Sequence, residues 1–282
     1  MEPTILSYKE PDHLHHYELW RTEESALLGG KSQNSIQIFF TLRYTAKQDP
    51  ERNLHFEYNV SKKSQTNQKG LYGWADDLSV LTNHLMLGIS PETGRLTHIY
   101  NQKDIYDQWI KKNWYETKQK HKAEKNAGSI LELIDATLKD EEKLVHALCY
   151  APPFSLLFSG IHGMPFINNT SDMRKSRLNG MVGTSYLPIK VEDVLSVNKD
   201  GFYEVTSEGK LDKKEFDEDN FRSFVRTLSD DPTAVSQINT KHAERYLFDE
   251  THWVKQAMWL NLSAVPGFMM REERVLLKEL TS

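Results

Sequence analysis

The spacing of apolar positions divides the chain into strand-like ends and a helical middle. Residues 1–13, which hold Pro3 and Pro11, read as irregular, and the character changes from Tyr17. Residues 35–45 (SIQIFFTLRYT) are β-branched and aromatic with partial alternation, which predicts a long strand. After a turn at 48–53, Leu54, Phe56, Tyr58 and Val60 share one face while His55, Glu57 and Asn59 take the other, so the two runs form a hairpin. Residues 61–70 hold no large apolar side chain until the following leucine and read as a loop; 74–81 predict a short helix. A second hairpin joins 84–90 to 95–100 through Pro91-Glu92-Thr93-Gly94.

The period then becomes helical. Asn101 can cap a helix in which Ile105 and Trp109, and Tyr106, Ile110 and Trp114, recur every four residues. Ser129-Ile130-Leu131-Glu132 reads as a capping box for a second helix, with Ile130, Leu133, Ile134 and Leu138 inward. Asp140 starts a third, through Leu144 and Leu148. The most apolar stretch is 147–158 (ALCYAPPFSLLF), where Pro152-Pro153 open a short helix and Gly160 ends it. It reads as a helix plugging the core, or as the wall of an apolar cavity lined by Tyr150, Phe154, Leu157 and Phe158.

Residues 168–179 read as a polar connector. Strands follow at 181–186, 189–197 and 202–206, with turns at 199–201 and 207–210. Asp217 or Asp219 starts a helix with Phe221, Phe224, Val225 and Leu228 on one stripe, ended by Asp230-Asp231-Pro232. Three strands close the chain, at 243–248, 254–262 and 268–280, separated by Asp249-Glu250-Thr251 and Pro266-Gly267. Strands joined by short turns favour antiparallel pairing and exclude a dinucleotide-binding βαβ repeat. The expectation is one α+β domain over 1–282, mainly strands over 1–100, helical over 101–165, and strands with one helix over 180–282. Two small α+β lobes divided near 165–180 are the alternative.

Composition narrows the classes. The 282 residues suffice for a real core, and 12 Phe, 12 Tyr and 6 Trp exclude a disordered chain. The net charge of −5 argues against a general nucleic-acid binder. Six lysines between Lys111 and Lys125 read as a solvated helix end, with an acidic partner as the lesser reading. Cys149 excludes an internal disulfide or a multi-cysteine zinc site by being alone, and reads as a buried small hydrophobe rather than a nucleophile. The first twenty residues do not form a secretory signal, and no apolar run is long enough to span a bilayer. As it stands the chain reads as cytoplasmic, or as periplasmic if an export signal preceded it.

Searches for catalytic and cofactor motifs fail: the phosphate-binding and dinucleotide glycine loops, the nucleophile elbow and the paired-histidine zinc helix are all missing. His242-Ala243-Glu244 has part of a zinc deaminase signature without its cysteines. His13, His15 and His16 read as a flexible surface cluster rather than a metal site. Asp217-Glu218-Asp219 begins like a calcium loop, but Arg222 and Leu228 stand where its Gly and Glu belong. Paired acids such as Asp76-Asp77 and Glu272-Glu273 read as solvated. Ser159 and His162 read as a turn leaving the apolar helix, with a catalytic pair as the lesser reading. Asn168-Asn169-Thr170 and Asn261-Leu262-Ser263 match the glycosylation sequon, which matters only in a secreted chain. No metal site and no cofactor are expected.

Residues 246–257 (YLFDETHWVKQA) resemble the Tyr-x-Phe-Asp hairpin, with its short acidic turn, near the end of lipoprotein-carrier-like proteins. Residues 94–101 (GRLTHIYN) are similar to the strand that leads into a helix in related bacterial envelope proteins. The resemblance covers scattered stretches of about half the chain and transfers no site residue. It implies an α+β fold in which a curved antiparallel β-sheet, half-barrel-like, packs around a central group of helices, with 147–158 inside the concavity. Three functions follow. The first is a non-catalytic binding protein that holds an apolar small molecule or a segment of another protein in a groove between sheet and helices. The second is a protein-interaction component: a chaperone, an immunity protein or a secretion-system adaptor. The third is a hydrolase with a non-standard site. The partners expected are an apolar small molecule or another protein, with no nucleic acid and no membrane span.

Overall fold

A computed structural model describes residues 2–9, 14–48, 53–124, 126–182, 185–229 and 237–280. In chain order the strands are β1 (Thr4–Ile5), β2 (Leu14–Leu27), β3 (Gly30–Gln48), β4 (Leu54–Gln65), β5 (His84–Ile89), β6 (Leu96–Ile99), β7 (Pro165–Phe166), β8 (Arg174–Val182), β9 (Ser185–Val197), β10 (Tyr203–Leu211), β11 (Asn239–Phe248), β12 (Val254–Val265) and β13 (Met269–Glu279). The helices are α1 (Leu71–Ser79), α2 (Gln102–Gln108), α3 (Trp114–His121), α4 (Ala127–Lys139), α5 (Glu141–Cys149), α6 (Phe154–Leu157) and α7 (Glu218–Ser229). A 3-10 turn, Val80–Thr82, follows α1, and a π turn, Trp109–Asn113, joins α2 to α3.

Eleven strands form one sheet in the order β6-β5-β4-β3-β2-β13-β12-β11-β10-β9-β8, and β1 pairs with β7. The pairs with assigned register are antiparallel, as short turns between strands require. The fold class is therefore α+β with an open antiparallel sheet. By contact density the chain divides into two compact units: Met1–Leu6, Trp20–Ser35 and Pro165–Lys278 form one; Ser7–Leu19, Ile36–Met164 and Glu279–Ser282 the other.

The helical unit builds its core from the alternation read in the sequence. Phe40, Leu42 and Tyr44 of β3 and Phe56 and Tyr58 of β4 are buried, and Tyr44 stacks on Phe56 at 5.1 Å. Ile105 of α2 and Trp109, which opens the π turn, are buried as expected, but Ile110 is 52% exposed. The π turn adds residues to one turn and rotates the stripe, so Thr117 and His121 continue the buried face instead. His121 is held between Asp77 (2.8 Å) and Glu124 (2.7 Å) and stacks on Trp74 at 4.0 Å. The lysine-rich stretch is thus anchored at its end, with Lys120 on Asp77 and Lys118 over the Trp114 ring.

Three other expectations need correction. The helix α4 starts two residues before Ser129, after Asn126, and no side chain caps it; Leu133 is 69% exposed rather than inward. Asn101 precedes α2 but spends its amide elsewhere, accepting from the Met86 amide and donating to the His84 carbonyl, both at 3.0 Å. His15 is buried on β2, 2.5 Å from Glu279, while its neighbour His16 faces the other way, so strand alternation disperses the supposed flexible cluster. His13, the turn at 49–52 and the helix end at 230–232 lie outside the described residues.

Strand extents also differ. Residues 14–27, left unassigned in the sequence, form β2; β4 runs on into the expected loop to Gln65; β8 takes half of the expected connector; and β10 takes the expected turn at 207–210. Polar side chains in these segments find partners across the fold, Arg21 on Glu273, Lys63 on Asp76, Arg174 and Ser207 on Asp193, which composition alone reads as loop. Asp140 does cap α5, accepting from the Lys143 amide at 3.2 Å, and Asp217 accepts from the Asn220 amide at 3.0 Å at the start of α7. The acidic turn between β11 and β12 is organised by Asp249, whose Oδ1 accepts from Thr251 N, Thr251 Oγ1 and Trp253 N within 2.9 Å. Asp249→Ala should therefore destabilise the protein by about 1–3 kcal/mol, and Asp249→Asn by less, in urea unfolding.

Candidate binding surface

The sheet unit places charge where a core is normally apolar. On β11 the buried side chains are His242, Glu244, Tyr246 and Phe248; on β12 they include Asn261 and Ser263; on β13, Glu273. The register sets His242 opposite Asn261, and Asn261 opposite Glu273. From β8, Arg174 reaches across to Glu244 on β11, two strands beyond its own neighbour β9, so within this unit the sheet coils over itself.

The result is a continuous chain of polar side chains. Arg174 holds Asp193 by two hydrogen bonds of 3.0 Å and donates to Glu244 Oε2 at 2.6 Å. Ser207 donates to Asp193 at 2.6 Å, and Tyr246 Oη to Glu244 at 2.9 Å. His242 meets Glu244 Oε1 through Nε2 at 2.8 Å and Asn261 Oδ1 through Nδ1 at 2.5 Å. The Asn261 amide donates to Glu273 at 3.3 Å, Arg21 donates to Glu273 at 2.6 Å and pairs with Glu23, and Arg271 lies 3.6 Å from Glu23. Among the described residues the chain thus joins four carboxylates, Asp193, Glu244, Glu273 and Glu23, to Arg174, Arg21, Arg271 and His242.

Hydrogen-bond direction fixes the state of His242. A carboxylate only accepts, so the side of Asn261 facing Glu273 is its amide nitrogen and the side facing His242 is its oxygen. Both ring nitrogens of His242 therefore face acceptors and both carry protons. Burial works to lower its pKa, but the bond to Glu244, its charge and Asn261 outweigh this and raise it. Burial would likewise raise Glu244, yet Arg174 and His242 hold it well below the carboxylate range. With His242 protonated, the four carboxylates named here are matched by four cations.

One residue without a side chain makes room for this. Gly209 on β10 lies opposite His242, and a Cβ there would come within 2.5 Å of the imidazole and 2.6 Å of Ile189. At the other end of the unit the core is conventional: Leu178, Leu187, Ile189, Val191 and Val265 pack against Phe221 and Val225 of α7.

On β11, β12 and β13 the opposite face carries apolar residues between two arginines. With Glu244, Trp259 and Val275 facing inward, their neighbours Ala243 and Arg245, Met258 and Leu260, and Arg274 and Leu276 face out. Together with Trp20 and Thr22 of β2 they line a depression of about 520 Å³. Trp20 is 45% and Leu276 37% exposed. At the rim Arg245 pairs with Glu204 (2.9 and 3.0 Å) and Arg274 with Glu272 (2.5 Å).

The residues expected to line a groove lie in the helical unit. Phe154, Leu157 and Phe158 are buried: Phe154 meets Tyr58 edge-on at 5.0 Å, Phe158 meets Phe56 at 5.2 Å, and Tyr8 donates to the Leu157 carbonyl at 2.8 Å. Tyr150 is half-buried, edge-on to His146 at 5.3 Å. Ser159 and His162 are both buried, and His162 stacks on Tyr8 at 3.9 Å. The loop carrying them is clamped to the second hairpin: Gly94, at φ +59, has no room for a Cβ, which would come within 2.5 Å of the His162 carbonyl.

The depression and the charge chain were not anticipated. Their signal is the alternation of Met258, Leu260 and Leu262 with Trp259, Asn261 and Ser263, in which the polar pair Asn261 and Ser263 is on the buried side. Among the described residues no cluster of three or more His, Cys, Asp or Glu has metal-binding geometry, and no helix is long and apolar enough to cross a membrane.

No protein-family model matches the chain, and no curated protein matches it. Among solved structures, the chain is similar to one described as lipid-protein interactions in lipovitellin, at 10% identity and a TM-score of 0.47, over 96% of this chain and 25% of that one. It thus spans a quarter of that chain's length. A second, an outer membrane lipoprotein-sorting protein domain from Vibrio parahaemolyticus, is 6% identical with a TM-score of 0.18, over 95% of this chain and 86% of that one. Both scores are too low to carry fold or function over.

Two predictions follow from the charge chain. Arg174→Met strands Asp193 and Glu244 in the interior and should cost about 3–5 kcal/mol in denaturant unfolding. The folded pKa of His242 is raised, so its contribution is complete below its ordinary value of 6.5 and is lost as pH rises through the raised value. Glu244 has the opposite sign: its contribution is present above 4.5 and lost as pH falls. Stability should therefore be greatest between 4.5 and 6.5, and His242→Gln should flatten the alkaline fall.

Proposed function

We propose that the protein is a non-catalytic binding protein, and that it holds an apolar ligand or an apolar protein segment on the outward face of β2, β13, β12 and β11. One observation supports this above the rest: these strands carry His242, Glu244, Asn261 and Glu273 on the buried face among Trp259 and Val275, while on the other face Trp20 and Leu276 are exposed and Met258 and Leu260 half-buried around one depression. A contiguous apolar patch on a polar chain marks a contact site. The depression, at about 520 Å³, falls within the roughly 300–1,000 Å³ of small-molecule sites.

A catalytic reading draws less support. Asp193 and Glu244, the most buried carboxylates, are each already bound to a cation, which suits fixed structure rather than proton transfer. A groove at Tyr150, Phe154, Leu157 and Phe158 would require an occupant to displace the Phe56–Phe158 and Tyr58–Phe154 contacts, whereas the outward face is already open.

The test is titration of the purified protein with an environment-sensitive apolar fluorophore, followed by native mass spectrometry of any co-purified adduct. Saturable binding should be weakened about tenfold or more by Met258→Glu, since a charge in the floor of the depression costs more than 1.4 kcal/mol. Phe154→Asp tests the helical location. Binding that survives Met258→Glu and is lost in Phe154→Asp, with both proteins folded, would move the site to the helical unit.

A further inference from the structure

We infer that the protein has a second contact surface, the lysine-bearing outer face of the helical run from α2 to α3, and that this face lies on an anionic lipid bilayer without crossing it. The surface belongs to the helical unit and is independent of the depression on the sheet unit.

The run from Gln102 to His121 is about 30 Å long. Its inner side is fixed. Ile105, Trp109, Thr117 and His121 are buried, Trp109 Nε1 donates to Asp135 at 3.2 Å, and His121 is held by Asp77 and Glu124. The outer side is therefore folded before any contact, and binding need not order it. In a chain of net charge −5, residues 103–122 hold six lysines against three acids. Lys111 is taken by Asp107, and Lys120 by Asp77. Among the described residues, Lys103, Lys112, Lys118 and Lys122 meet no carboxylate, and all four are exposed. Of the remaining acids, Asp104 stands in the first turn of α2, where it complements the helix start. Glu116 lies roughly a quarter-turn round the helix from Tyr115.

Two apolar side chains are set among these lysines. Ile110, turned outward at the π turn, is 52% exposed and Tyr115 64%. Tyr115, Lys118 and Lys122 follow at i, i+3 and i+7, which puts them on one helix face. Lys118 also lies over the Trp114 ring, 4.5 Å from its centroid. Exposed apolar and aromatic side chains ringed by cations match a headgroup layer. Their tips enter the acyl boundary, and the lysine stems carry charge back to the phosphates.

The kind of cation favours a bilayer over other anions. No arginine lies between Arg95 and Arg174. A carboxylate or phosphate held in one pose favours the two-pronged fork of arginine, whereas a diffuse, mobile anionic surface needs only point charges. A helix ridge is also convex. A plane accepts it, while a folded acidic partner would have to supply a groove.

The experiment is co-sedimentation of the full chain with phosphatidylcholine vesicles, with and without about 30% phosphatidylglycerol, at low salt and at about 0.5 M salt. Binding is expected to the anionic vesicles only, and to be lost at the higher salt. Lys118→Gln combined with Lys122→Gln should weaken it about 25-fold, since each lysine near such a surface contributes a factor of about five. Ile110→Ser combined with Tyr115→Ser should weaken it at least about fivefold at unchanged charge. Lys199→Gln, on the exposed turn after β9, should leave it unchanged. All these sites are exposed, and circular dichroism checks that each variant is folded. Failure to bind anionic vesicles overturns the inference, as does binding that survives the paired lysine change. Binding to oligothymidylate or polyglutamate that matches binding to vesicles and ignores the Ile110 and Tyr115 changes also overturns it, and assigns the face to a nucleic acid or an acidic protein. Fluorophore binding and its loss in Met258→Glu are read separately, so either surface can fail alone.

Discussion

The guanidinium of Arg174 is the point on which the sheet unit turns. It lies on β8, is almost wholly removed from water, and bonds to Asp193 on β9 and Glu244 on β11. A buried charge without partners is prohibitively costly, so strands that are not neighbours must come together around it. From Glu244 the chain of charge runs through His242, Asn261 and Glu273 to Arg21 and Glu23, crossing each strand once or twice. A slip of one residue would turn any buried side chain of β12 out of the interior, and even a slip of two, which keeps the faces, would part Asn261 from His242 and Glu273.

This choice frees the other side of the sheet. Strands with one polar and one apolar face normally bury the apolar one. Here the buried face holds a paired polar chain among Trp259, Val275 and Tyr246, and the other face keeps Trp20 and Leu276 exposed with Met258 and Leu260 half-buried between them. Their exposure costs roughly 25 cal/mol for each Å² that folding does not bury. A contact that covers the face recovers that energy, while the internal chain keeps the face rigid and limits the ordering entropy lost on association. Fold and proposed function thus share one cause.

Much of the fold could be read from alternation and period. The β3–β4 hairpin, with Phe56 and Tyr58 inward, the turn at Asp249 and the Asp140 cap were legible because each depends on neighbours in sequence. The segments not recognised as strands, 14–27, 61–65 and 174–179, carry polar side chains whose partners lie elsewhere in the chain: Arg21 with Glu273, Lys63 with Asp76, Arg174 with Glu244. Composition marks such stretches as loops, because their partners are invisible locally. Leu133 and Ile110 show the reverse error: Ile110 is turned outward at the π turn, and Leu133 lies off the α4 stripe formed by Leu131, Ile134 and Leu138. His242-Ala243-Glu244 was noticed for a metal motif it does not complete, although its spacing of two is what places both groups on one strand face.

The charge state of His242 decides whether the polar chain is complete, because only the imidazolium satisfies Glu244 and Asn261 together. Nitrogen NMR of the protein labelled at histidine, recorded at neutral pH, measures this directly. Both Nδ1 and Nε2 of His242 should carry protons, persisting above pH 6.5. A neutral single tautomer at that pH would contradict it.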